Sequence, residues 1–155
     1  GTPEAPGWAV YLETEPAADH GPPDSGDSDG VDAIYREADK PGRPNSGHWV
    51  LHATTAWSEA NLEVDAGAVA LRLRDAFIAR TGLGPEAIRD VSAHRWRYSR
   101  PLGILDPVPL ETVGLALAGD AFGPPTLTDV PPAERAWLSG RAAAGRLIAA
   151  RQPKS

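Results

Sequence analysis

The sequence predicts an α+β fold, a mixed α/β arrangement built on a sheet. Three observations carry that reading. Several short segments alternate apolar and polar side chains with period two and are bounded by Gly, Pro, Asn and Asp, as strands are. Residues 66–80 instead repeat their apolar side chains at i, i+3 and i+4, the spacing of one buried helix face. The chain then closes on a second helical stretch rich in small residues, 133–150. Its 155 residues suffice for one domain with a core and are short for two.

Residues 7–15 (GWAVYLETE) mix aromatic and β-branched residues and predict the first strand. Residues 19–32 (DHGPPDSGDSDGVD) predict a flexible acidic loop, because Gly, Pro, Ser and Asp dominate them. A short strand over 33–38 (AIYREA) ends before the turn signal Lys40-Pro41-Gly42. Residues 48–55 (HWVLHATT) form the clearest strand, with Val50, His52 and Thr54 on one face and Trp49, Leu51 and Ala53 on the other. Ser58 is the expected N-cap of a turn through Leu62. In the 66–80 helix, Val69, Leu73, Ala76 and Phe77 should face the core, with Gly82 or Gly84 as the stop. Residues 92–99 (SAHRWRYS) alternate again and predict a strand. The apolar run Val113 to Ala118 (VGLALA) predicts a fully buried one.

Composition excludes several classes. No apolar run approaches the roughly 18 residues that a membrane helix needs. The start, Gly1-Thr2-Pro3-Glu4, has neither a basic n-region nor an apolar h-region, so no signal peptide is expected. A formal net charge of −6 argues against a nucleic-acid partner, since phosphate binding needs a basic surface. Cysteine is absent, which rules out disulfides, thiolate metal sites and a cysteine nucleophile, and fits a reducing cytoplasm. Methionine is absent too, so the chain is expected to be cut from something longer.

The chemistry concentrates in two places. At the end, an apolar run leads into Gly119-Asp120 and then, after a loop, into an Ala/Gly-rich helix. Asp120 there either accepts hydrogen bonds from sugar-like hydroxyls or belongs to a plain turn. The helix N-terminus near Ala133 and Glu134 offers unpaired N–H groups and the positive end of a dipole. Small residues from Ser139 to Ala144 allow close packing of that helix. The second place is the strand at His94, Trp96 and Tyr98. Alternation puts these three on one face and Arg95 and Arg97 on the other. They either wall a ligand pocket or form a core-facing aromatic strand with a solvated arginine face. The two arginines could also draw in a phosphate-bearing substrate.

Other motifs carry less. His48 and His52 have no carboxylate at a metal-ligand spacing and read as ordinary core or surface histidines. The stretch 24–30 (DSGDSDG) fails the calcium-loop register, with Ser25 at the first ligand position and Arg36 where a bidentate Glu belongs. No GxSxG elbow is present, and Ser139-Gly140 falls inside a helix. No metal site is expected.

The ending resembles the C-terminal FAD-binding segment of glutathione-reductase-type flavoproteins, in which the Asp of a GD pair holds the ribityl chain. The helix that follows points its N-terminus at the flavin pyrimidine edge. Three further segments narrow the resemblance to renalases and their amine-oxidase-related bacterial relatives: Lys40-Pro41-Gly42-Arg43, WVLHATTAWSEANLE at 49–63, and AHRWRYSRPLG at 93–103. Their order and spacing are similar from about residue 7 to residue 148. The resemblance implies a substrate-domain portion over 1–110, then a strand–GD–helix segment over 111–150 that completes a Rossmann-type FAD domain, with 151–155 as a tail. It implies hydride transfer from an amine or a dihydronicotinamide, an NAD(P)-type substrate, to FAD, with O2 as acceptor. Gly119, Asp120, Ala133 and Glu134 would contact FAD, while Trp96, His94 and Tyr98 would line the substrate pocket.

Two features depart from that family. No GxGxxG is present, so the half that cradles the FAD pyrophosphate is expected on another part of the polypeptide or on a partner chain. The link 123–132 (GPPTLTDVPP) is longer and richer in proline than the family's. The competing class is a non-catalytic binding or assembly module that keeps the substrate-domain shape.

Overall fold

The computed structural model describes residues 3–16, 29–44, 46–105, 114–127 and 129–151. They divide into two compact units, one of Ala5–Arg100 and one of Gly1–Glu4 with Pro101–Ser155.

The first unit is a four-stranded sheet with one long helix. Strands β1 (Glu4–Thr14), β2 (Val31–Arg36), β3 (His48–Ala53) and β4 (Ile88–Pro101) lie in the order β2-β3-β1-β4. A short helix α1 (Thr55–Ala60) and the long helix α2 (Ala66–Thr81) join β3 to β4. β3 pairs antiparallel with both β1 and β2, so each residue from Trp49 to His52 shares a face with one residue on either side. Ile34, Leu51 and Val10 form one such cross-strand row, and Tyr35, Val50 and Tyr11 form the next on the opposite face.

A β-bulge sets which side of β2 is wet. Val31 pairs with Ala53 but Ala33 pairs with His52, so Asp32 is the extra residue. Val31 therefore points into the core with no exposure, while Ala33 two positions later points the other way.

The core lies between the sheet and α2. Trp8, Val10 and Leu12 of β1 and Trp49, Leu51 and Ala53 of β3 meet Val69, Leu73 and Phe77 of the helix. Trp49 and Phe77 stand edge to face with ring centroids 5.3 Å apart. Both buried indoles keep their N–H satisfied. Trp49 donates to the Thr14 hydroxyl at 3.2 Å and Trp8 to the Asn61 carbonyl at 3.2 Å. Helix α2 forms over Ala66–Thr81 because both ends are capped. The Asp65 carboxylate accepts from the N–H groups of Gly67 and Ala68, and Gly82 ends the helix in the left-handed conformation at φ 69°.

Several expectations need correction. Ser58 is not an N-cap. Thr54 caps α1 by accepting from the Trp57 N–H, and buried Ser58 instead accepts from the Trp8 N–H at 3.2 Å, tying α1 to β1. Of the expected loop 19–32, residues 19–28 lie outside the described residues. Asp29 is not simply solvated: Arg80 of α2 donates to it at 2.7 Å and to the Val31 carbonyl at 2.9 Å. Burial works to raise the Asp29 carboxyl, but hydrogen bonding from Arg80 and from the Val31 N–H outweighs it and holds the group below its ordinary value.

The second unit centres on helix α3 (Pro132–Arg151). The Pro-rich link contains a 3-10 turn at Pro125–Leu127, and Val130 N–H donates to the Leu127 carbonyl at 3.1 Å. The buried strand expected over 113–118 is not there. Val113 lies outside the described residues, Gly114–Ala118 carry no strand, and Leu115 and Leu117 are 59% and 40% exposed. An apolar run becomes a strand only when another strand pairs with it, and composition cannot supply that partner. In its place a single parallel bridge joins Leu105 to Phe122.

Phe77 makes the packing testable. Phe77→Ala should cost about 3–5 kcal/mol of unfolding free energy. Leu71→Ala, on the exposed side of the same helix, should stay within about 0.5 kcal/mol. Urea denaturation compares them, and equal losses would mean that α2 does not close the core.

Candidate functional site

With one face of the sheet covered by α2, function has the other to work with. β4 reaches that face with His94, Trp96 and Tyr98, exposed on the same side as the alternation predicts. Trp96 is 49% and Tyr98 78% exposed, and the His94 and Trp96 rings meet edge on at 4.6 Å. They are not core residues. The core side of β4 is taken by Val91 and Ala93, followed by Arg95, whose guanidinium sits 5.7 Å over the Trp8 ring.

The arginine face is therefore not merely solvated. Arg95 donates to the Leu62 carbonyl at 2.6 Å, and Arg97 makes a forked pair with Glu63 at 2.8 and 3.0 Å. Hydrogen bonding from Arg97 keeps the Glu63 carboxyl below its ordinary range. Both side chains fasten β4 to the turn before α2.

A cleft of about 380 Å³ opens on the aromatic face. Its floor is small, Gly7 and Ala9, and its walls are Tyr11, His52, Trp96 and Tyr98. Gly7 is needed for the close approach of β4, since a Cβ there would lie 2.7 Å from the Ser99 hydroxyl oxygen. Arg100 stands at the end of β4 and donates to Asp32 on the far edge strand at 2.9 Å, reaching past the two strands between them.

His52 is the residue that sequence reasoning undervalued. Its position on the Val50 face of β3 was legible, but the cleft above it was not. It lies half-buried, with the Tyr35 ring 5.6 Å away at 84°. Burial, and then the nearby Arg100 charge, push its imidazole below the ordinary 6.5, while Asp32 works the other way. At neutral pH His52 is therefore an uncharged donor and acceptor. His48 is exposed and lies elsewhere, beside Glu37 and Arg43. Among the described residues, no group of three or more His, Asp or Glu is placed to hold a metal ion, and no helix is long and apolar enough to cross a membrane.

The other predicted site residues fall in the second unit. Gly119 and Asp120 form a turn that Ser139 of α3 clamps: the Gly119 N–H donates to the Ser139 hydroxyl at 2.8 Å, and that hydroxyl lies 2.8 Å from the Gly119 carbonyl. The sequence offered Ser139 only as a small residue; its role as a clamp depends on the folded loop. Asp120 is half-buried, and among the described residues none donates to its carboxylate. Ala133 and Glu134 are exposed in the first turn of α3, where backbone N–H groups have no intrahelical acceptor. A free carboxylate acceptor and free N–H donors are the groups that a polyhydroxyl chain and an electron-rich ring edge require. No family model matches the chain.

The charge arrangement predicts a titration. The folded state binds His52's proton less readily than the unfolded chain, so this group's contribution to stability is complete above about 6.5 and is lost as pH falls toward the depressed folded value. Arg100→Gln should raise the His52 pKa and Asp32→Asn should lower it. NMR titration of the imidazole protons reads both, and a shift of opposite sign in either variant would separate His52 from the ion pair.

Proposed function

We propose that this chain is the substrate-side portion of a cytoplasmic, renalase-like, FAD-dependent oxidoreductase. The single observation that carries the reading is the aromatic cleft: Trp96, Tyr98 and Tyr11 over a small-residue floor, with an uncharged histidine beside them. Such a surface positions a planar donor and contributes little acid–base chemistry, which suits a reaction whose difficult step belongs to a cofactor.

On this reading Trp96, with His94 and Tyr98 beside it, orients an amine or dihydronicotinamide-type donor. Asp120 takes a ribityl hydroxyl, and the N–H groups of Ala133 and Glu134 take the pyrimidine edge. FAD, when bound, supplies the hydride acceptor and its reoxidation by O2. The pyrophosphate is held by a strand–GxGxxG–helix half outside this sequence, and the exposed Leu115 and Leu117 are apolar surface available to such a half. A non-catalytic assembly module is the second reading. It is favoured by the closed core of residues 5–100, which needs no cofactor for its packing.

The chain by itself should bind FAD weakly, because only two parts of the cofactor find partners on it. Stoichiometric FAD retained through gel filtration would overturn that division of the site. In the enzyme assembled with its glycine-rich half, Asp120→Ala should weaken FAD binding about ten- to hundred-fold, the equivalent of roughly 1.5–3 kcal/mol for one charge-assisted hydrogen bond. Trp96→Ala should spare FAD and slow anaerobic flavin reduction, since misplacement of a donor is costly in rate. Fluorescence titration and stopped flow read the two effects. If neither substitution changes either quantity, the flavoenzyme reading fails; if FAD binds but is never reduced by any donor, the assembly module is the better account.

A further inference from the structure

The cleft on the aromatic face carries a charge preference that its aromatic walls do not explain. Acidic residues outnumber basic ones in this chain, 21 to 15, yet no carboxylate is among the described residues that line the cleft. Arg100 is the one charged side chain among them. Its partner Asp32 reaches it from the far edge strand and does not itself line the cleft. Both members of that pair are well exposed, at 46% and 41%, and exposed ion pairs exchange readily with competing anions.

We propose that the cleft binds one planar aromatic ring system bearing an anionic group, the ring against Trp96, Tyr98 and Tyr11 and the anion on Arg100 in place of Asp32. The inference rests on the reading of this face as the substrate wall and narrows the substrate class there. Aromatic walls give a ring both area and preferred edge or stacked geometries. The guanidinium fork matches a carboxylate or phosphate in two parallel hydrogen bonds. The floor of Gly7 and Ala9 leaves depth for the ring, and a volume of about 380 Å³ limits the occupant to one or two fused rings. A cationic amine finds no carboxylate in the cleft and meets Arg100 instead. His52, neutral at pH 7 through burial and the Arg100 charge, adds a hydrogen bond without opposing the anion's fit to Arg100.

The test uses three probes with one ring and three charges: indole-3-acetate, indole-3-acetamide and tryptamine. Each is titrated into the full chain at neutral pH by calorimetry, with the Trp96 indole N–H followed by NMR. The acetate should bind at least about tenfold more tightly than the amide, the gain expected of one charge-assisted contact, and tryptamine should bind most weakly. Arg100→Gln should erase the advantage of the acetate and leave the amide unchanged. Asp32→Asn should tighten the acetate, because the competing carboxylate is gone, and it keeps the test decisive should the Arg100 variant fold poorly. Tryptamine binding as tightly as the acetate, a preference that survives Arg100→Gln, or no binding by any probe would each overturn the proposal. These titrations contain no flavin, so an anion site confirmed here alongside unchanged flavin reduction in Trp96→Ala would remove the flavoenzyme reading alone.

Discussion

The packing of α2 against one side of the β-sheet is the constraint on which the rest of the first unit depends. Trp49 against Phe77, with Trp8, Leu51, Leu73 and Val69 around them, buries that side and leaves the other without a long helix of the same unit. Once the burial is assigned, strand alternation dictates everything on the far side. His52 must point away from the core because Leu51 and Ala53 point into it. Trp96 must do so because Ala93 and Arg95 are turned toward Trp8.

Polar groups reinforce that division. The Trp8 and Trp49 indoles, the Ser58 hydroxyl and the Thr14 hydroxyl each find a partner inside the fold, so the core contains polar atoms without leaving these unsatisfied. Arg80 performs the same service at the edge, gathering Asp29 and the Val31 carbonyl beside the bulge that turns β2 over. On β4, Arg95 and Arg97 hold the strand to the turn before α2. Because the fastening lies on the core side, the aromatic side is free to present Trp96 and Tyr98 to a ligand.

The second unit obeys a different logic. In it the Ser139 hydroxyl grips the Gly119 backbone, which sets the turn carrying Asp120. The leucines that precede this turn stay exposed.

Local pattern determined much of this. The strands at β1, β3 and β4, a helix over 66–80 stopped by Gly82 or Gly84, the closing helix, and the shared face of His94, Trp96 and Tyr98 were all legible, because period and caps act over a few residues. Which face of β4 met the core was not, since an aromatic row and an arginine row are equally good strands until α2 chooses between them. The bulge at Asp32, the ion pair from Asp32 to Arg100 and the cleft above His52 depend on residues far apart in sequence, 68 positions for the ion pair. The failed strand after Val113 has the same cause. Alternation and hydrophobicity state what a segment tends to bury, but a strand exists only where tertiary structure brings another edge to pair with it.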